Sequence, residues 1–227
     1  MILSRLSLNP RSREVRRDLG DIYQLHRTVL SGFPSQMPAE ERVLFRVDEA
    51  TDGRRLLLVQ SIFTRPEWVG LPAGYLLPPD PFDPLPNPAV REDAPAFHEG
   101  QLLRFRLRAN PTVKKVMTDP TGEKSEQGRR VAIVREDDQL EWLGRKGRSG
   151  GFRSLEGVQV IDMGRAFGFA RRSRNGSEHV SDRVELNVVQ FDGLLQVTDR
   201  ELFGRTLLQG IGSGKGFGCG LLSLARA

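Results

Sequence analysis

Two side chains near the start of the chain have the types and spacing for proton-transfer chemistry. Tyr23 and His26 stand three residues apart in the segment DIYQLHRTVLSGF. On a helix that spacing puts them on one face. Ile22, Leu25 and Val29 form the neighbouring apolar stripe. His26 is one of 3 histidines. An imidazole gives or takes a proton near neutral pH, as attack by an RNA 2′-hydroxyl on the adjacent phosphodiester requires. Tyr23 would orient that attack or hydrogen-bond the phosphate, and Arg27 would neutralise its charge. On spacing alone, a surface Tyr and His beside a helix start is the stronger reading, because such pairs are common and unspecific.

A second feature is GIGSGKGFGCG, in which Gly210, Gly212, Gly214, Gly216, Gly218 and Gly220 take every second position. It fails as a dinucleotide or P-loop motif. No register gives the third glycine of the first, and Gly216 follows Lys215 where the second needs Ser or Thr. The expected order, helix then glycines then strand, is also the reverse of both. What remains is a loop whose bare backbone can approach a phosphate closely, with Lys215 adding a cation. The alternative is an ordinary flexible turn.

The third is RAFGFARRSR, residues 165–174, followed by Asn175-Gly176, a strong hairpin-turn signal. Arg171, Arg172 and Arg174 would lie near the tip of a two-stranded ribbon. There they would either contact an RNA backbone or act as solvated charges that protect an edge strand. Neither His98 nor His179 has a partner at metal-ligand spacing, and the scattered carboxylates form no two-metal nuclease cluster. No metal and no cofactor is therefore expected.

These features need a scaffold. The expected elements begin with a strand at 2–8, a helical turn at 12–17 and a helix from an Asp21 cap to Ser31. Strands at 42–47 and 56–61 and a short helix at 66–70 follow. Residues 78–95 hold 7 of the 14 prolines and read as an extended loop. LLRFRLRA, residues 102–109, is a strand with Leu103, Phe105 and Leu107 on one side. Arg104, Arg106 and Arg108 lie on the other, a solvated or linker-facing side. Beyond a polar linker come a strand at 130–134, a helix at 137–146 and a strand at 158–163. The hairpin has arms 166–172 and 184–191. A turn at Asp192-Gly193, a strand at 194–197, a helix at 199–209 and a final strand at 219–224 complete the chain. Strand-helix-strand-strand-helix-strand thus occurs twice. This predicts an α+β protein of two tandem ferredoxin-like (RRM-like) domains with antiparallel sheets. The expected boundaries are 1–110, with the candidate catalytic helix, a linker 111–128, and 129–227, with the basic hairpin and glycine run. The helix-free face of such a sheet is available for binding.

Composition narrows the partners. The 227 residues carry a net charge of +5 and are 38% hydrophobic, too apolar for a disordered chain. Arginine supplies most of the positive excess, and its forked donor suits phosphate. The single cysteine, Cys219, excludes an internal disulfide and fits a reducing, cytoplasmic setting. The alternating N-terminus does not read as a signal peptide, and no apolar run approaches the roughly 20 residues of a membrane span.

Taken together, these residues resemble the CasE-type CRISPR repeat-RNA endoribonucleases of type I-E systems. The resemblance runs through LSLNPRSREVRRDL, DIYQLHRTVLSGFP, LRFRLRANP, VQFDGLLQVTD and GIGSGKGFGCGLLSLA, nearly the whole chain. It implies binding of the repeat stem-loop in precursor CRISPR RNA and metal-independent cleavage at the base of the stem. The expected products are 5′-hydroxyl and 2′,3′-cyclic phosphate ends, retained within the Cascade complex beside its other subunits. Carried onto this sequence, His26 and Tyr23 become catalytic. Arg171 and Arg172 become the hairpin's RNA contacts, and Gly210 to Gly220, with Gly212 and Gly214, the glycine-rich loop. Arg174, Arg27 and Lys215 are RNA-binding candidates from the reading of the residues themselves. Some relatives have a lysine a few residues after the histidine; here that stretch is Thr28-Val29-Leu30-Ser31. The roles of Ser31 and Ser35 stay open.

Overall fold

A computed structural model describes the backbone of residues 1–115, 129–174 and 177–227, with the side chains of all these except 129, 170–174 and 177–182. The first unit runs β1 (Ile2–Leu8), α1 (Arg13–Gly20), α2 (Ile22–Leu30), β2 (Leu44–Glu49), β3 (Arg55–Ser61) and β4 (Ala89–Glu92). Its antiparallel sheet has the order β2-β3-β1-β4. Next come β5 (Leu102–Ala109), β6 (Thr112–Lys115), β7 (Arg129–Ala132), α3 (Glu136–Ser149) and β8 (Phe152–Ser154). The chain finishes with β9 (Gln159–Arg174), β10 (Ser177–Val197), α4 (Arg200–Gln209) and β11 (Leu222–Arg226). The second sheet has the order β11-β5-β10-β8, with β9 also paired to β10. Both orders are ferredoxin-like, as the twice-repeated pattern predicts.

Several elements differ from the sequence expectation. The strand 102–109, counted with the first unit, is hydrogen-bonded between β10 and β11 and opens the second sheet. The fourth strand of the first sheet instead emerges from the proline-rich stretch, where Ala89–Glu92 pairs with β1. The first unit's second helix is reduced to a 3-10 turn at Trp68–Gly70. Part of the expected linker, Thr112–Lys115, is a strand paired with Arg129–Ala132; residues 116–128 lie outside the described residues. Asp192-Gly193 makes no turn, because Gly193 pairs with Phe105 in the middle of one long strand. The expected strand at 158–163 and the first hairpin arm are likewise one strand.

Alternation decides which faces are covered. Leu103, Phe105 and Leu107 are buried against Trp142 and Leu143 of α3 and Phe203 and Leu207 of α4. In the first unit, Leu6, Leu8, Leu57 and Val59 pack on Leu25 and Val29 of α2 and Val15 of α1. The arginine side of β5 is not simply solvated. Arg106 pairs with Asp192 at 2.7 Å and Arg108 donates to the Val47 carbonyl at 2.7 Å. Arg46, 1% exposed, binds both Asp48 carboxylate oxygens, at 2.7 and 2.8 Å. It also donates to the Leu221 and Arg106 carbonyls and to Ser223 Oγ. One guanidinium therefore joins the edge of the first sheet to the second. The open face of the first sheet is also partly taken. Asp83 from the proline-rich loop pairs with Arg5 at 2.7 Å, and Asn87 brackets the Ser7 backbone.

Candidate functional site

Helix α2 is short, and its N-terminus is firmly capped. The Asp21 carboxylate accepts the backbone N–H groups of Tyr23 and Gln24 at 2.9 and 3.4 Å, satisfying donors that a helix start leaves open. Leu25 and Val29 anchor the helix in the first unit's core. Ile22 points elsewhere, into a small cluster with Leu186, Val188, Cys219 and Phe217 of the second unit. The helix thus lies between the two units.

The rest of its seating is polar. Asp18, 1% exposed, accepts from the Thr28 hydroxyl at 2.6 Å, the Tyr75 hydroxyl at 2.9 Å and Arg17 Nε at 2.9 Å. Burial and the Asp18 charge push the Tyr75 hydroxyl well above its ordinary pKa, so it stays a donor. Strand β9 presses on the other end. A Cβ added at Gly168 would sit 2.8 Å from Ile22 Cγ1 and 3.0 Å from the Tyr23 nitrogen. A glycine is required there by close approach alone.

His26 is half-buried on this helix. Its ring lies 6.4 Å from that of Tyr23 and 5.5 Å from that of Phe217, centre to centre. A Cβ added at Gly216 would lie 3.5 Å from His26 Cε1, so the bare backbone of the glycine run is what meets the imidazole. Burial lowers the pKa of His26, and a backbone hydrogen bond at Gly216 opposes that shift. A ring whose pKa is below 6.5 is neutral at pH 7 and ready to accept a proton.

The glycine run is braced along its length. Gly220 N–H donates to the Arg108 carbonyl at 2.7 Å, Ile211 N–H to Gly220 at 2.9 Å and Phe217 N–H to Gly214 at 2.9 Å. Gly220 has φ +88°, and a Cβ there would meet the Ile211 carbonyl at 2.9 Å. The ordinary flexible turn weighed from sequence is not what forms. Lys215 opens a 3-10 turn, Lys215–Phe217, and is half-buried. Its pKa is lowered by burial first, then by the charges of Arg42 and Lys146.

The expected site residues therefore divide. Tyr23, His26, Lys215, Gly212 and Gly214 belong to one assembly of α2 and the glycine run. Arg27 is exposed on the same helix. Ser31 is exposed at the helix end and donates to the Thr28 carbonyl at 2.8 Å, while Ser35 is exposed beyond it. Arg171, Arg172 and Arg174 lie in β9, in register with Val180, His179 and Ser177; their side chains and the Asn175-Gly176 tip lie outside the described residues. The same strand reaches α2 directly, where the Phe169 N–H donates to Asp21 at 3.3 Å. Phe217, Gly168 and Gly216 were not singled out in the sequence for contact with α2. Phe217 had a legible signal, as the large aromatic among alternating glycines. Among the described residues, no three or more His, Cys, Asp or Glu side chains are grouped as metal ligands would be.

Comparisons with known proteins place these features in context. The family model described as "CRISPR associated protein" matches residues 1–226. The CRISPR-associated endoribonuclease Cse3 of Thermus thermophilus is 36% identical over 233 residues, covering 99% of this chain and 100% of the relative. The Cascade subunit CasE of Escherichia coli is 28% identical, covering 90% of this chain and 92% of the relative. A solved structure of Cse3 bound to a 19-nucleotide RNA is similar with a TM-score of 0.77, 35% identity and full coverage of both chains.

Proposed function

The chain belongs to the CRISPR-associated protein family, and from that premise we propose that it is an endoribonuclease that cuts CRISPR repeat RNA at the base of its stem-loop. The observation that carries this reading is the setting of His26. It is half-buried, has a depressed pKa, lies close to Tyr23 and is backed by the bare backbone of Gly216.

The chemistry is metal-independent transesterification. His26 accepts the proton of the 2′-hydroxyl as that oxygen attacks the adjacent phosphorus. The bond to the 5′-oxygen breaks, and this oxygen takes a proton from the imidazolium so formed or from water, leaving as a 5′-hydroxyl. The other end closes as a 2′,3′-cyclic phosphate. Tyr23 hydrogen-bonds the phosphate, and basic side chains stabilise the charge that builds on it. Holding the 2′-oxygen in line with the phosphorus supplies much of the rate. Arg27, Arg171, Arg172, Arg174 and Lys215 contact the RNA backbone, and the glycine run with Gly212 and Gly214 lets it come close. The protein works in the cytoplasm and keeps its product within Cascade, in the company of the other subunits. No helix among the described residues is long and apolar enough to cross a membrane.

Repeat RNA incubated with the protein in EDTA tests this. Cleavage with a 5′-hydroxyl and a 2′,3′-cyclic phosphate is the expected result. A gel shift without cleavage would instead mark a non-catalytic RNA-binding subunit. Cleavage lost on chelation would refute the metal-free chemistry.

A further inference from the structure

Three cations from separate segments converge on the glycine run. Lys215 belongs to the run itself, and a Cβ added at Gly220 would lie 3.1 Å from its Cγ. Lys146 of α3 has its Nζ 5.9 Å from the centre of the Trp142 ring, and that ring lies 3.0 Å from where a Cβ at Gly212 would be. Arg42 stands two residues before Leu44, whose Cδ1 lies 2.8 Å from where a Cβ at Gly210 would be. Among the described residues, none of the three has a carboxylate within ion-pair distance, although Arg46 on the strand after Arg42 and Arg145 beside Lys146 each do. Like charges left together without a counter-charge repel, the more so where burial removes water, as at the half-buried Lys146 and Lys215. The charges of Arg42 and Lys146 both lower the pKa of Lys215. An arriving phosphate would relieve that repulsion.

We propose that Arg42, Lys146 and Lys215 form a phosphate subsite on the RNA-binding surface, distinct from the basic hairpin and holding a phosphodiester close to the one cut at His26. This rests on the endoribonuclease reading above. Lys215 and Gly216 are consecutive, and Gly216 is the residue against His26, so the strand held here is the one entering the cleavage site. The site reads charge rather than base identity. Trp142, the aromatic beneath Lys146, is 3% exposed and closed to stacking, while the half-buried Phe217 of the same turn as Lys215 faces the His26 ring. Phosphate contacts of this kind fix register without selecting sequence.

The test uses the full chain and a repeat stem-loop RNA with a 2′-deoxy nucleotide at the mapped cut, so that binding is read without cleavage. Kd is measured across a salt series for the wild type and for Arg42→Ala, Lys146→Gln and Lys146→Arg. Loss of one phosphate contact should reduce the slope of log K against log salt by about 1 in Arg42→Ala and in Lys146→Gln. Lys146→Arg keeps its charge and should keep the wild-type slope. Wild-type slopes in both neutral variants, with the wild type cutting unmodified RNA, would overturn the subsite and leave the nuclease reading standing. The subsite also falls if the neutral variants bind RNA normally but fail to assemble with partner subunits, which would make this patch a protein contact. A wild-type chain that neither binds nor cuts the RNA would overturn both.

Discussion

The carboxylate of Asp21 that caps the helix of His26 also accepts the backbone N–H of Phe169, the residue two before Arg171 on the basic strand. One side chain therefore fixes both the start of the candidate catalytic helix and the root of the hairpin. Asp21→Ala should lower stability by about 1 kcal/mol from the lost cap. It should also reduce cleavage more than binding, because the hairpin still carries its charge. Thermal melting and single-turnover cleavage at saturating protein check the two parts. Unchanged cleavage with a lowered melting temperature would show that the cap is structural only.

His26→Ala should slow cleavage by about 10²–10⁴-fold, the usual contribution of a general base, with RNA affinity largely intact. Single-turnover rates and a filter-binding isotherm on the same RNA separate the two. Normal cleavage by this variant would remove His26 from the mechanism.

The pH profile follows from the direction of the His26 shift. Burial lowers its pKa below 6.5, so the neutral, proton-accepting form persists to lower pH than for a free imidazole. The acid limb of kcat/KM should therefore have its midpoint below 6.5, and the rate should fall as pH drops through it. A midpoint above 6.5 would contradict the buried, neutral ring. The same shift makes the unfolded chain the better proton acceptor at this position. Stability from this group is complete above 6.5 and declines as pH falls toward the folded value.

Arg171→Ala should weaken RNA binding and reduce the salt slope by about 1, for mismatched as well as matched stem-loops. Affinity measured at several salt concentrations decides it. An unchanged slope would count against the hairpin as a backbone clamp.

Arg46→Met would remove both close hydrogen bonds to the buried Asp48 carboxylate, leaving it only Arg108 at 3.7 Å, and would leave two carbonyls without that donor, at a cost of about 3 kcal/mol. Adding Asp48→Leu should recover much of that loss, since apolar replacement of a whole buried pair is often neutral. Urea titrations of the single and double variants test this. A single variant as stable as wild type would mean that Arg46 does not hold the sheets together.

Local patterns were readable in the sequence where one residue type does one job. Asp21 and Asp199 were legible as helix caps, and both accept the N–H groups at the starts of their helices. The alternation of Leu103, Phe105 and Leu107 gave the buried side of β5. It could not say which sheet β5 joins, because strand pairing depends on partners far away along the chain. The turn expected at Asp192-Gly193 failed for the same reason. Gly193 lies close to Val158 and Phe105, and packing across the sheet overrides the local turn preference. Ala89–Glu92 was hidden because the prolines around it mask a strand of only 4 residues. At the site, type and spacing drew attention to Tyr23 and His26, but only the family resemblance made them catalytic candidates rather than a surface pair. The contact with Gly216 was not legible, since glycine carries no signal for what packs against it.

Helix α2 has only 9 residues, yet it is bolted into two separate hydrophobic clusters at once. Damage in either cluster will reach the imidazole. A scan scored by cutting alone would thus flag remote positions, such as Val29 or Leu186, as though they took part in the reaction. Only a parallel readout of folding can tell a displaced helix from a missing proton acceptor.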